Sequence, residues 1–280
     1  MLSVPSHFKT DRVTIDGISL CYYRTGGDKP PLVMAHGMTD MGLCWTRVAD
    51  GLRHKYDVIS YDARGHGQSD ATEDGHEPEQ RAEDLRGLLE ALNLKNTLLL
   101  GHSMGAMTVG LLAANHPDLA RAVVLEDPPM PNSLTEPPTG EQVGAWDDQW
   151  SKWKKDVIQN KTRKQEELIS YCRRQSPWWH DAEVGPWATS KRLVSPHVFN
   201  TANLKTSDWW QCLGKISCPL LIITADVDRG ALVSEVVASQ LKETLPDNAT
   251  LVRLAGAGHN IHREQFDRYM SLMTDFFARS

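Results

Sequence analysis

Short apolar segments that end in polar or glycine-rich residues alternate with helical patterns along most of the chain, and this alternation most constrains its fold. The apolar segments are Leu32–Ala35, Val58–Tyr61 and the runs within "NTLLLGHS", "ARAVVLEDPP", "CPLLIITADVD" and "ATLVRLAGAGH". Between them, the leucines of 85–92 recur at helical spacing and 104–114 is apolar on most faces. Continuous apolar strands are buried on both faces, so the pattern predicts an α/β fold with a mostly parallel sheet covered by helices.

The N-terminal part departs from this pattern. In "RVTIDGISLCYYRTG", two strand-like runs flank Asp16-Gly17, a strong signal for a tight hairpin. The parallel part of such a sheet binds ligands beyond the carboxyl ends of its strands, where this chain carries its polar and glycine-rich residues.

The stretch "GHSMG" places a serine at one of these carboxyl ends. Ser103 lies between Gly101 and Gly105, after a leucine-rich strand and before an apolar helix. This is the context in which G-x-S-x-G forms a sharp turn that lifts the serine hydroxyl clear of the sheet. The pattern indicates that Ser103 is a nucleophile.

A nucleophilic serine needs a base and a carboxylate that orients the base. His259 follows the last predicted strand and would project over the same sheet edge, whereas His262 is expected to be a surface or capping residue. Three carboxylates also follow strands at this edge, and the residue pattern leaves the choice among them open. They are Asp127, Asp226 and Asp228.

Acyl transfer also requires two backbone N–H groups aimed at the developing oxyanion. The N–H of Met104 is one candidate because it begins the helix after the nucleophile, where the helix dipole helps. The N–H of Met38, in the loop "HGM" after an earlier strand, is the other.

Strand patterns are missing from about residue 131 to residue 214, which holds eight of the nine tryptophans. An insertion at this point would lie over the carboxyl edge of the sheet. We therefore expect an α/β core formed by residues 1–130 and 215–280, with residues 131–214 as a helical, tryptophan-rich cap.

The charge and composition of the chain exclude several classes of binding partner. A net charge of −6 disfavours nucleic acid, and no apolar run is long enough to span a membrane. The first 17 residues lack the basic and apolar regions of a signal peptide, and five scattered cysteines form no CxxC pair, so we expect free thiols and a cytoplasmic location. No spacing indicates a metal site.

Several motifs together resemble those of the capped α/β-hydrolases. They are "HGMTDMGLCW", "YDARGHGQSD", "GHSMG", "TADVDRG" and "AGAGH", which occur in the order typical of that family. The resemblance implies the α/β-hydrolase fold: an eight-stranded sheet, a helical cap after strand 6 and no cofactor. It also implies that Asp62, Arg64 and Ser69 tie the core together.

The resemblance makes Ser103 the nucleophile and His259 the base. It favours Asp228 as the acid, as the last residue of a motif that follows the seventh strand, while Asp127 and Asp226 remain alternatives. Because serine stands where dehalogenases and epoxide hydrolases carry aspartate, it disfavours both of those activities.

The implied reaction is hydrolysis of a carboxylic ester or lactone through an acyl-enzyme, which makes the chain a carboxylesterase or lactonase. The apolar cap and the methionines near the site favour a mid-sized, hydrophobic, uncharged and possibly aromatic substrate. Alternatives are hydrolysis of a C–C bond in a diketone or dienone, and a ligand-binding receptor with vestigial hydrolysis. The expected pocket residues are Met41, Met130, Trp153, Trp179 and Trp187.

Overall fold

The computed structural model describes residues 4–200 and 208–280, and in these ranges eight strands form one sheet. The strands are β1 (Lys9–Ile15), β2 (Ile18–Arg24), β3 (Pro31–Ala35), β4 (Asp57–Tyr61), β5 (Thr97–His102), β6 (Ala120–Glu126), β7 (Leu220–Thr224) and β8 (Ala249–Arg253). Their order is β1-β2-β4-β3-β5-β6-β7-β8. The pairs from β4 to β8 are parallel, which confirms the predicted fold class.

The two N-terminal strands form the predicted hairpin. β1 and β2 pair antiparallel and end at Ile15 opposite Ile18, so the loop has two residues. Asp16 (φ 48°) and Gly17 (φ 82°) both adopt positive φ, as the favoured two-residue hairpin turn requires.

Helices cover both faces of the sheet. They are α1 (Thr46–Leu52), α2 (Pro78–Ala91), α3 (Met104–Asn115), α4 (Gly140–Asn160), α5 (Gln165–Gln175), α6 (Asp181–Leu193), α7 (Glu235–Thr244), α8 (Ile261–Glu264) and α9 (Phe266–Arg279). Central strands send alternate side chains into two apolar clusters. Leu99 of β5 packs in one cluster with α2 and α3, and Leu98 and Leu100 pack in the other with α1 and α9.

The segment between β6 and β7 contains α4, α5 and α6, and none of its described residues lies in a strand. Residues 201–207, which belong to the cap predicted from the sequence, lie outside the described residues. This helical segment touches the core at defined points: Ser195 donates its N–H to the carbonyl of Gly65 at 2.7 Å, and Val198 packs beside Met38.

The loop after β4 joins parts of the core that are distant in sequence. The Asp62 carboxylate accepts the N–H groups of Gly42 and Gln68, each at 2.7 Å. Ser69 donates its hydroxyl to the Asp62 carbonyl at 2.6 Å, and Arg64 forms a buried ion pair with Asp84 at 2.5 Å. These contacts agree with the structural role implied for this loop.

Candidate active site

Ser103 occupies the corner between β5 and α3 in a strained backbone conformation. Its φ is 53° and its ψ −118°, a region that residues other than glycine rarely adopt. The flanking glycines allow this turn because a Cβ at Gly101 would lie 2.2 Å from the carbonyl oxygen of Gly105. A Cβ at Gly105 would lie 2.2 Å from the carbonyl oxygen of Ala35. The spacing G-x-S-x-G is thus a steric requirement of the corner.

His259 lies in the loop between β8 and α8, beside the nucleophile corner. Its ring centroid is 4.6 Å from that of His102, the residue before Ser103, and His102 Nε2 donates to the His259 carbonyl at 2.9 Å. Gly258 lets the His259 loop pack against Arg229, since a Cβ at this position would lie 2.1 Å from the carbonyl oxygen of Arg229. The His259 side chain is 28% exposed, so part of the imidazole faces the space above the sheet.

Asp127 is the carboxylate that contacts His259. The Nδ1–H of His259 donates to Asp127 Oδ2 at 2.6 Å, and the N–H of Leu232 donates to the same carboxylate at 2.9 and 3.1 Å. Asp127 is fully buried and has a positive φ of 40°. With Nδ1 as the donor, Nε2 of His259 carries the lone pair that can accept a proton.

The structure does not bring the expected acid, Asp228, to His259. Asp228 lies on a short 3-10 turn, Val227–Arg229, and is exposed to solvent. Asp226 instead accepts the N–H of Gly256 at 2.7 Å and pairs with Arg253 at 2.9 Å. The hydrogen bond from Gly256 is the main cause that lowers the pKa of Asp226. The choice of Asp228 is therefore corrected to Asp127, the alternative at the end of β6.

The loop after β3 packs directly against the nucleophile. A Cβ at Gly37 would lie 3.3 Å from the Cβ of Ser103 and 2.6 Å from His102 Nδ1, so only glycine fits there. His36 anchors the loop from below: its Nδ1 donates to the Gly37 carbonyl at 2.8 Å, and its Nε2 accepts the N–H of Ala63 at 3.0 Å. Burial lowers the pKa of His36 to about 4, so this ring is neutral. The loop thus holds Met38 beside the start of α3, where Met104 lies.

A second histidine–carboxylate pair was not predicted from the sequence, and its histidine also contacts the His102 ring. His262, expected at the surface, is 1% exposed and donates its Nδ1–H and its backbone N–H to Glu126 Oε1 at 2.7 and 2.9 Å. Burial acts to raise the pKa of Glu126, but His262 outweighs it and the result is a pKa of about 2. The sequence signal was the adjacent pair Glu126-Asp127 together with two histidines three residues apart.

The expected pocket residues differ in their surroundings. Met41 is fully buried in a core cluster around Trp45 and offers no surface to a substrate, which corrects that prediction. Trp153 is 40% exposed on α4. Trp179 is buried, and its ring lies edge-on to that of Trp187 at 6.4 Å between centroids. Met130 is buried in the cluster that also includes Met38 and Met104.

Two other features, a metal site and a membrane-spanning helix, are absent from the described residues. No group of three or more histidine, cysteine, aspartate or glutamate side chains in 4–200 and 208–280 has the arrangement of a metal site. Within the same ranges, no helix is both long enough and apolar enough to cross a membrane.

Comparison with known proteins agrees with this geometry. The family model for the α/β hydrolase fold matches residues 30–265. The chain belongs to the α/β-hydrolase family. The names of its relatives cover several different reactions.

Three relatives of this α/β-hydrolase illustrate that diversity. A 2-(acetamidomethylene)succinate hydrolase of Mesorhizobium japonicum is 37% identical over 121 residues, 43% of each chain. A bifunctional esterase/perhydrolase of Acinetobacter calcoaceticus is 24% identical over 89% of this chain and 92% of its own. An N-formylmaleamate deformylase of Pseudomonas putida is 27% identical over 94% of each chain. The crystal structure of an E-2-(acetamidomethylene)succinate hydrolase superposes with a TM-score of 0.80 at 24% identity, over 97% of this chain and 100% of its own.

Proposed function

We propose that the protein is a serine hydrolase that cleaves a carboxylic ester or lactone through an acyl-enzyme intermediate. The observation that carries the proposal is the buried Asp127–His259 hydrogen bond of 2.6 Å beside the strained Ser103 corner. A histidine whose Nδ1–H donates to a carboxylate presents its Nε2 to the proton of the nucleophile. The names of the relatives support hydrolysis in general, and the esterase/perhydrolase supports an ester substrate.

In the first half-reaction, Ser103 Oγ attacks the carbonyl carbon of the substrate while His259 Nε2 takes the hydroxyl proton. The imidazolium that results is stabilised by Asp127. The N–H groups of Met38 and Met104 donate to the oxyanion, and the partial positive charge at the start of α3 adds to the second donor. His259 then passes its proton to the leaving alkoxide, which departs as an alcohol.

In the second half-reaction, His259 takes a proton from water, and the hydroxide attacks the acyl carbon bound to Ser103. Collapse of the tetrahedral intermediate breaks the bond to Ser103 Oγ, which recovers its proton from His259. The helical segment with α4, α5 and α6 serves as the cap in this scheme. Its Trp187 is half-buried and leaves part of an aromatic ring accessible, which favours a mid-sized hydrophobic substrate.

A second candidate is hydrolysis of an amide bond in a carboxylate-bearing compound. It is favoured by the similarity to the N-formylmaleamate deformylase, which extends over 94% of both chains. The same triad serves both reactions, because amide hydrolysis differs only in that His259 protonates a departing nitrogen. The two candidates therefore differ in the substrate pocket and not in the assignment of catalytic groups.

The test is hydrolysis of a panel by the wild type and by Ser103→Ala. The panel contains short and medium p-nitrophenyl esters, an aromatic lactone, an N-formyl amide of a dicarboxylic acid and a β-diketone. Turnover of an ester or lactone that falls about 10³-fold or more in Ser103→Ala supports the proposal. Turnover of the amide alone favours the second candidate, and turnover of the diketone alone favours C–C hydrolysis. A wild type inactive on every compound, or a Ser103→Ala protein as active as wild type, refutes the serine hydrolase.

A further inference from the structure

Four charged side chains from three separate segments meet out of water between the helical segment and the core. Two are acidic and two are basic, so the cluster is neutral overall. All are at most 8% exposed: Asp40, Glu183, Lys191 and Arg263. Buried charges are costly unless they are paired, so a cluster of this kind has a specific arrangement to maintain.

Lys191 of α6 uses its ammonium on the loop after β3. Its Nζ donates to the carbonyl and the hydroxyl of Thr39, each at 2.9 Å, and to Asp40 Oδ1 at 2.8 Å. These contacts use all three donors of the ammonium group. Trp187 of the same helix covers the charge, with its ring centroid 5.0 Å from Nζ.

Arg263 of α8 holds the same carboxylate from the other side. Its Nη2 donates to Asp40 Oδ2 at 2.7 Å, its Nε lies 3.5 Å from Glu183 Oε2, and its guanidinium lies 4.6 Å from the Trp179 ring centroid. Burial alone would raise the pKa of Asp40, but Arg263 and Lys191 outweigh it and hold that pKa well below its usual range. Asp40 is therefore an anion that bridges the helical segment and the core.

The loop that receives these contacts has the strain of a functional site. Thr39 has a φ of 65°, which is rare for a β-branched residue. The N–H of Asp40 donates to the Gly37 carbonyl at 3.1 Å, which closes a tight turn around Met38 and Thr39. A strained turn persists only where surrounding contacts fix it, and the bonds from Lys191 to Thr39 supply such contacts.

We infer that Lys191 and Asp40 are positioning residues, whose bonds hold the turn so that the Met38 N–H points at the oxyanion. This inference rests on the proposed serine hydrolase and adds that docking of α6 completes the oxyanion hole. The Lys191 ammonium contacts Thr39, Asp40 and the Trp187 ring, so its effect on the oxyanion passes through Thr39 and Asp40.

The test is Lys191→Met, which keeps the apolar stem beside Trp187 and removes the three hydrogen bonds. Removal of one oxyanion donor costs about 10²–10³ in kcat, so displacement of a donor is expected to lower kcat about 10- to 100-fold. KM should stay within about threefold, because the ground-state carbonyl is less dependent on this donor. A trifluoromethyl ketone, whose serine adduct carries an oxyanion, should lose affinity by the same factor as kcat/KM.

Two further variants keep the result interpretable. Lys154→Met is the matched control, because Lys154 of α4 donates to Asn200 Oδ1 at 2.9 Å within the helical segment. This substitution should leave kcat unchanged. Lys191→Met combined with Asp40→Asn removes one positive and one negative charge, so the cluster stays neutral overall and Arg263 keeps Glu183, 3.5 Å away, as its ion-pair partner. Because both substitutions act on one turn, the fold-loss of kcat in the double variant should be smaller than the product of the fold-losses in the two single variants.

The outcomes separate the two proposals. Activity that needs Ser103 but is unchanged in Lys191→Met, or a rise in KM with kcat and inhibitor affinity intact, overturns the inference and leaves the hydrolase. An equal loss in Lys154→Met overturns it too, since the effect would not be specific to the turn. If Lys191→Met does not fold, kcat is measured for the double variant Lys191→Met/Asp40→Asn instead. A normal kcat in that variant overturns the inference. A wild type without hydrolysis overturns both.

Discussion

Replacement of Asp127 by asparagine is the sharpest test of the proposed triad, because the structure restricts how the new amide can sit. Asp127 Oδ2 accepts both His259 Nδ1–H at 2.6 Å and the Leu232 N–H at 2.9 Å, and Oδ1 lies 3.1 Å from the same N–H. If the amide NH2 takes the Oδ2 position, His259 must present its Nδ1 lone pair and carry its proton on Nε2. That tautomer cannot accept the Ser103 proton.

If the amide oxygen takes the Oδ2 position instead, the histidine tautomer is preserved, but the NH2 group faces the N–H of Leu232. That donor–donor contact is buried, and the imidazolium formed in the transition state has also lost its carboxylate. Either orientation removes the stabilisation of the cation. We expect kcat to fall about 10⁴-fold, which corresponds to about 5.4 kcal/mol.

The assay is steady-state hydrolysis of the best panel substrate, with thermal unfolding to confirm that each variant folds. Asp228→Asn is the matched control, because Asp228 is exposed on the turn Val227–Arg229 and should keep kcat within about twofold of wild type. A large loss in Asp228→Asn together with near-normal activity in Asp127→Asn would refute the assignment drawn from the 2.6 Å contact.

Two further predictions concern stability. Arg81 is 1% exposed, its three nitrogens have no hydrogen-bond partner among the described residues, and burial lowers its pKa to about 10. Because an unpartnered buried cation is costly, Arg81→Met should raise Tm by about 5 °C, which scanning calorimetry would show; a fall in Tm would contradict this. Burial lowers the pKa of His36 from 6.5 to about 4, so the unfolded state binds more protons between these values. The contribution of His36 is complete above pH 6.5 and is lost toward pH 4, by about 3 kcal/mol, and His36→Gln should flatten the fall in urea-unfolding stability across that range.

The sheet and the nucleophile corner could be predicted from the sequence because their causes are local. Continuous apolar runs mark strands buried on both faces, and Asp16-Gly17 marks a turn with two positive φ values. The glycines at 101 and 105 are equally local signals, since each avoids a clash with backbone a few ångströms away. These features need no knowledge of how distant segments meet.

The buried charge cluster could not be predicted because its members are far apart in the chain. Asp40 and Arg263 are separated by 223 positions and still form a 2.7 Å hydrogen bond. In the sequence, Glu183 and Lys191 look like ordinary charges on the solvent face of a helix. Their burial depends on where α6 docks, and neither periodicity nor composition contains that information.

The acid that pairs with His259 could be predicted from the sequence only in part. Asp127 and Asp228 both follow strands at the same sheet edge, so position along the chain did not separate them. Successive residues of a strand point to opposite faces, and Glu126 and Asp127 at the end of β6 accordingly contact different histidines, His262 and His259. Two adjacent acids after β6 thus match two histidines three residues apart after β8. That correspondence favours Asp127, because an acid after β7 would leave the buried β6 carboxylate at position 127 without a cationic or imidazole partner, a costly arrangement.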